Sequence, residues 1–215
     1  MAITLWGRDS SCNVQKVMWA LAELNLRHHH VQLGGSHGGL DSDEYGALNP
    51  NRKVPTLRDG DLVVWESHAI VRYLAAKYSA RGLWQNDPAA RAVIDQWTDW
   101  TATTFQPAWI DLFWLVVRTP ATEHDAKAIG RALEATNAAL SIMERRLGEA
   151  PYLGGAQLSC ADIAAGVAMY RWVTMPIERP ALPNVEAWFK RLTNRPPYRR
   201  TVCVTYAELV GRLDF

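Results

Sequence analysis

Near residue 80 the spacing of apolar residues changes, and that change limits the chain to few folds. Before it, ITLW (3–6) and HVQL (30–33) read as strands around a helix from Asn13 to Leu26. In that helix Val14, Val17, Met18, Leu21 and Leu24 recur every three or four residues. The glycine-rich GGSHGG (34–39) is a loop. PTLR and LVVW follow as two more strands joined at the turn signal Asp59-Gly60. From Glu66 to Tyr78 the pattern is helical again, with Ile70, Leu74 and Tyr78 four apart. Everything beyond Pro88 reads as helix. Pro88 stands at a first helical position behind Asp87 as N-cap, and a long helix over 123–148 carries Ile129, Leu133, Leu140, Met143 and Leu147 on one stripe. A further helix starts near Ser159, and another covers 184–194 before Arg195-Pro196-Pro197 stops it. The reading is a mixed α/β unit over 1–80, a linker over 81–87 and an all-helical unit over 88–215.

Several functions are disfavoured by composition. Apolar residues make up 48% and charged residues 21% of 215, enough to bury a core, and the net charge of +1 suggests neither a nucleic-acid nor a membrane surface. Cys12, Cys160 and Cys203 are too few and too scattered for a disulfide framework, which points to reducing cytoplasm. The N-terminus lacks the pattern of a signal peptide, and WIDLFWLVV (109–117) is too short for a membrane span. His28, His29 and His30 point alternately to opposite faces of an extended segment, so no metal site is expected there. GGSHGG is no phosphate loop, because no helix pattern opens directly behind it.

Three stretches carry chemistry. DSSCNVQKV (9–17) puts two hydroxyls, a thiol and an amide at a helix start: Ser10, Ser11, Cys12 and Asn13. In NPNRKVPTL (49–57) a proline enters a strand and cannot donate a ladder hydrogen bond, which places it at an edge or a special turn. Glu66-Ser67 lies where a strand meets a helix. That is ordinary capping chemistry, yet it also presents N–H groups to a carboxylate and an acid to an ammonium, as the head of an α-amino acid needs. Ten Trp, with Trp97, Trp100, Trp109 and Trp114 crowded mid-chain, read either as core or as an aromatic-walled pocket.

Taken in order, DSSCN, NPNRKVP, Glu66-Ser67 and the capping segment Leu158-Ser159-Cys160-Ala161-Asp162-Ile163 resemble the cytosolic glutathione S-transferases over essentially the whole chain, most closely bacterial theta-, beta- or Nu-like members. The resemblance implies a thioredoxin-like glutathione-binding domain followed by a helical-bundle domain that forms the electrophile pocket. It implies a cis Pro55, Val54 pairing with the cysteinyl backbone of glutathione, Glu66 and Ser67 at its γ-glutamyl end, and Arg52 and Lys53 near its glycyl carboxylate. Ser11 aligns with the hydroxyl that faces the sulfur in theta and phi classes, Ser11 and Asn13 with the threonine and asparagine of Nu-type members, and Cys12 is a neighbouring thiol. Trp100, Phe105, Trp109 and Phe113 would line the pocket for a small hydrophobic electrophile, and Asp99 would face a partner's glutathione. Glutathione is the co-substrate, no metal is needed, and a cytoplasmic homodimer serving detoxification is expected.

Magnitudes agree. Lowering a thiol pKa by ~2 units takes ~2.7 kcal/mol of preference for the anion. One hydrogen bond to a charged acceptor supplies ~1.5–3 kcal/mol, and a helix N-terminus adds ~0.3–1 kcal/mol. The alternatives are glutathione-dependent peroxide or disulfide reduction through Cys12 or Asn13, a zeta-like maleylacetoacetate isomerase suggested by Ser-Ser-Cys, and a non-catalytic binding or interaction module.

Overall fold

The computed structural model describes residues 3–78 and 82–213. Residues 79–81, where the expected domain boundary falls, lie outside that description. Strand β1 (Ile3–Trp6) leads into helix α1 (Cys12–Glu23), which returns the chain to β2 (His28–Val31) alongside β1 in parallel. A short helix α2 (Asp43–Leu48) follows, and then β3 (Thr56–Asp59), β4 (Leu62–Trp65) and α3 (Ser67–Tyr78). The sheet order is β2-β1-β3-β4, with β3 antiparallel to both neighbours.

Two details differ from the sequence reading. Strand β2 starts at His28 rather than His30, because it pairs residue for residue with Ile3–Trp6. Helix α2 was absent from the reading, although Ser42 caps it by accepting a hydrogen bond from Tyr45 N–H at 3.2 Å, and Asp43 and Glu44 fill its first turn.

The second half is helical: α4 (Pro88–Trp100), α5 (Gln106–Phe113), α6 (Ala126–Glu149), α7 (Cys160–Thr174), α8 (Pro183–Thr193) and α9 (Pro196–Thr201). A widened π-helical turn over Thr101–Phe105 joins α4 to α5, and a second one over Trp114–Arg118 ends the rod. The first has local causes. Pro107 has no N–H to give its preceding turn, while the Thr101 and Thr103 hydroxyls donate to the carbonyls of Trp97 (2.8 Å) and Asp99 (3.0 Å). No helix among the described residues is long and apolar enough to cross a membrane.

The two halves share packing. Trp19 of α1 is fully buried edge-on to Tyr198 of α9 and lies over Gly166 of α7, where a methyl group would sit only 2.9 Å from its ring. Arg195 clamps Glu23 with two hydrogen bonds of 2.8 and 2.6 Å. Within the helical half, Asp162 is the polar centre. It is wholly buried and accepts from Leu153 N–H (2.8 Å), Ser159 N–H (3.0 Å), the Ser159 hydroxyl (2.8 Å) and Trp188 Nε1 (2.9 Å).

Removing that acceptor strands several buried donors at ~1–3 kcal/mol each. Asp162→Ala should therefore lower the unfolding free energy by about 3 kcal/mol or more, read from the urea midpoint; a loss below about 1 kcal/mol would show that the carboxylate is not the centre of this domain.

Candidate active site

One row of the sheet gathers the three chemistry-bearing segments. Trp6, Thr56 and Trp65 stand opposite one another across β1, β3 and β4. The β1–α1 loop, Val54-Pro55 and Glu66-Ser67 therefore all leave the same end of the sheet. Gly7 permits the crowding. Its φ is +148°, and an added methyl would lie 2.4 Å from Val14 and 3.1 Å from Val54. The Val54–Pro55 bond is cis. Tyr45 Oη and Asn49 Nδ2 both donate to the carbonyl of Lys53, at 2.7 and 2.8 Å, which fixes the approach to Val54. The Arg52 guanidinium turns back to the carbonyls of Leu40 (3.1 Å) and Ser42 (2.8 Å) and so organises its own loop, whereas Lys53 is exposed.

Glu66 is exposed and has φ +71°, an unfavourable left-handed conformation for a side chain of its size, and its carbonyl accepts the first bond of α3 from Ile70 N–H at 2.9 Å. Ser67 beside it is buried.

At the start of α1, Ser11 is the N-cap, but its hydroxyl accepts from Val14 N–H at 3.4 Å, beyond the usual 2.7–3.2 Å. The hydroxyl is only loosely engaged, and its own proton is free to donate. Asn13 is oriented far more firmly. Lys16 Nζ, an obligate donor, lies 3.0 Å from Asn13 Oδ1, and Gln106 Nε2 donates to the same oxygen at 3.3 Å. With its oxygen taken, the Asn13 amide turns its NH2 group elsewhere. Lys16 also donates to Gln106 Oε1 and to His68 Nε2 (2.9 Å), so one buried ammonium ties α1, α3 and α5 together. Burial lowers the Lys16 pKa to about 8, opposed by the nearby Cys12 and Glu66. Burial, reinforced by Lys16 and Arg72, lowers that of His68 to about 2.

Across a cavity of about 170 Å³ from Ser11, Cys12 and Asn13 stand Trp109 and Phe113 of α5 and Trp114 of the widened turn that follows it. Trp100 and Phe105 do not line it. They stack on each other with planes 4° apart and centroids at 6.1 Å, and Phe105 is core. Asp99 pairs with Arg72 of the same chain. Cys12 is buried within electrostatic reach of Lys16, Arg8 and Arg171. Cys160 donates to the Leu83 carbonyl, and burial pushes its pKa up to about 12; burial also raises that of Cys203. Lys16, His68 and Gln106 were missed by sequence reasoning, as were Arg8, Arg118 and Arg171, which also line the cavity. Among the described residues no three potential ligands meet as a metal site.

The His68 environment has a measurable consequence. The unfolded chain takes up a proton there below about pH 6.5, whereas the folded chain does so only near pH 2. This site's contribution to stability is thus present above pH 6.5 and lost as the pH falls from there toward 2. His68→Gln should flatten the urea midpoint against pH between 6.5 and 4; an unchanged slope would mean that His68 is protonated in the fold.

The family model described as "Glutathione S-transferase, N-terminal domain" matches residues 5–82, and "Glutathione S-transferase, C-terminal domain" matches 105–196. The chain is 38% identical over 205 residues to glutathione S-transferase GstB of Escherichia coli strain K12, covering 94% of this chain and 98% of that protein. It superposes with a TM-score of 0.91, at 48% identity, on the theta class glutathione S-transferase of Xanthomonas axonopodis pv. citri with glutathione bound, over 95% of this chain and 98% of that one. Glutathione transferase F1 of poplar gives a TM-score of 0.84 at 26% identity over 94% and 96%. With both halves matched and the relatives spanned nearly end to end, the chain belongs to the glutathione S-transferase family.

Proposed function

We propose that the chain is a glutathione transferase that binds glutathione at the sheet end through residues of the 1–80 unit and presents its sulfur to an electrophile pocket built by 88–215, with 81–87 as the connector. The supporting observation is the arrangement at the start of α1: a loosely held Ser11 hydroxyl and an Asn13 amide whose oxygen is occupied, both beside the cavity walled by Trp109 and Phe113. In this reading Glu66 takes the ammonium and Ser67 the carboxylate of the γ-glutamyl end, Val54 pairs with the cysteinyl backbone beside Pro55, and Lys53 approaches the glycyl carboxylate from a loop that Arg52 holds in shape. The peptide acts as co-substrate, and the assembly is a cytoplasmic homodimer.

The thiol releases its proton to solvent, and the remaining anion accepts hydrogen bonds from Ser11 Oγ–H and Asn13 Nδ2–H near the positive end of α1. The sulfur then forms a bond to the electrophilic carbon. A leaving group, where there is one, departs with its electron pair. The aromatic wall selects small hydrophobic electrophiles. Cys12 supports a second reading, glutathione-dependent disulfide or peroxide reduction, because its thiol lies near three cations.

Single variants separate the two. Loss of one charge-assisted hydrogen bond is worth roughly 10- to 150-fold. Ser11→Ala should lower kcat/KM for conjugation of 1-chloro-2,4-dinitrobenzene by that factor, while Cys12→Ala stays within about threefold of wild type. A collapse in Cys12→Ala with Ser11→Ala intact would move the chemistry to the cysteine.

A further inference from the structure

A side-chain amide presents N–H donors at one end and an acceptor oxygen at the other, and the two ends have nearly the same shape. Beside a sulfur anion the nitrogen end attracts and the oxygen end repels. Neighbouring hydrogen bonds must therefore decide which way Asn13 faces, and here the decision traces back to one atom.

Lys16 Nζ can only donate. Its three protons go to Asn13 Oδ1 (3.0 Å), His68 Nε2 (2.9 Å) and Gln106 Oε1. Each of these atoms is thereby fixed as an acceptor. His68 takes the tautomer with its proton on Nδ1. Because the Gln106 oxygen is turned to Lys16, its Nε2 is the end that reaches Asn13 Oδ1, at 3.3 Å. The Asn13 oxygen thus receives donors from its own helix and from α5, and among the described residues no acceptor takes its two N–H groups. Asn13 lines the cavity with Ser11, whereas neither Lys16 nor Gln106 is among the residues bordering it.

Lys16 is 1% exposed and forms no ion pair with a carboxylate among the described residues. A buried ammonium in that state is destabilising, and methionine would fill a similar space without a charge. What the ammonium supplies is the inability to accept. A glutamine or serine in its place would leave the Asn13 amide free to turn over.

We propose that Lys16, braced by Gln106, is a positioning residue for the transfer reaction: it holds the Asn13 oxygen inward so that the nitrogen end meets the glutathione sulfur. This rests on the transferase reading and adds to it a residue that touches neither substrate. The role is distinct from tying α1, α3 and α5 together. Several polar groups could form such a tie, but only a partner with donors alone dictates the direction of the amide.

The test follows the ionisation of bound glutathione by thiolate absorbance against pH, with S-methylglutathione as the thiol-free reference. Asn13→Ala should raise the thiol pKa by about one unit or more, the worth of one hydrogen bond to a charged acceptor. Lys16→Met should raise it by a similar amount although Asn13 is still in place. Adding Lys16→Met to Asn13→Ala should then move it by less than about a third of a unit, since the amide through which Lys16 acts is gone. A full further rise in the double variant would mean that the ammonium acts on the sulfur directly. An unchanged pKa in Lys16→Met would mean that it only braces the fold, and an unchanged pKa in Asn13→Ala would leave the sulfur to Ser11. Each of these three results overturns the proposal alone. Should Lys16→Met not fold, Lys16→Gln keeps a donor for the buried acceptors yet can also accept; the same rise is expected, and its absence is equally decisive. A wild type that does not bind glutathione, or binds it with the thiol at the ordinary ~8.5, overturns the transferase reading and the proposal with it.

Discussion

A single buried ammonium holds the site together. Lys16 spends its hydrogen-bonding capacity on three partners, Asn13 within its own helix, His68 in α3 and Gln106 in α5. An ammonium in that position is tolerable only because every proton it donates finds an acceptor. Those acceptors belong to three elements that meet at the end of the sheet from which the β1–α1 loop, Val54-Pro55 and Glu66-Ser67 leave. The same contacts orient two amides. Lys16 claims the oxygen of Gln106, so the Gln106 nitrogen faces Asn13, and the Asn13 oxygen is claimed twice. Orientation that an isolated asparagine lacks is thus imposed by a lysine on the next turn of the helix.

Electrostatics extends outward from this centre. Lys16 and Arg171 are both buried near Cys12, and Arg8 reaches the same thiol from the loop. Together with the N-terminus of α1 they favour negative charge in this space. A sulfur anion there requires no metal and no general-base triad; hydroxyl, amide and helix start meet the energetic requirement. The widened turn over 101–105 lies immediately ahead of α5, the helix that carries Gln106 and Trp109.

Much of the fold was legible in the sequence because its signals are local. The periods of two and 3.6, the Gly60 turn and the Ser159–Asp162 cap each depend on residues within a few positions of one another. Where non-local pairing decides, the reading drifted: β2 begins at His28 because β1 dictates its register. The candidate site was legible as a set of segments but less so as a cluster. Ser11, Asn13, Trp109 and Phe113 come together, whereas Trp100 and Phe105 pack on each other, since helical spacing does not tell a pocket-facing aromatic from a core one. The buried cations were missed because a charged residue in a helix reads as solvated by default. Arg171 did leave a trace, as the one basic residue in the otherwise mostly apolar run CADIAAGVAMYRWV, and Lys16 stands three residues after Asn13, at the spacing of side-chain pairs.

Central to the proposed transferase chemistry is a sulfur anion held at the start of α1. The direct measurement is the ultraviolet thiolate absorbance of glutathione bound to the wild-type protein, followed against pH. A midpoint at least one unit below the ~8.5 of a free thiol is the predicted result. A midpoint at the free value, or bound glutathione without a thiolate band at neutral pH, would contradict it.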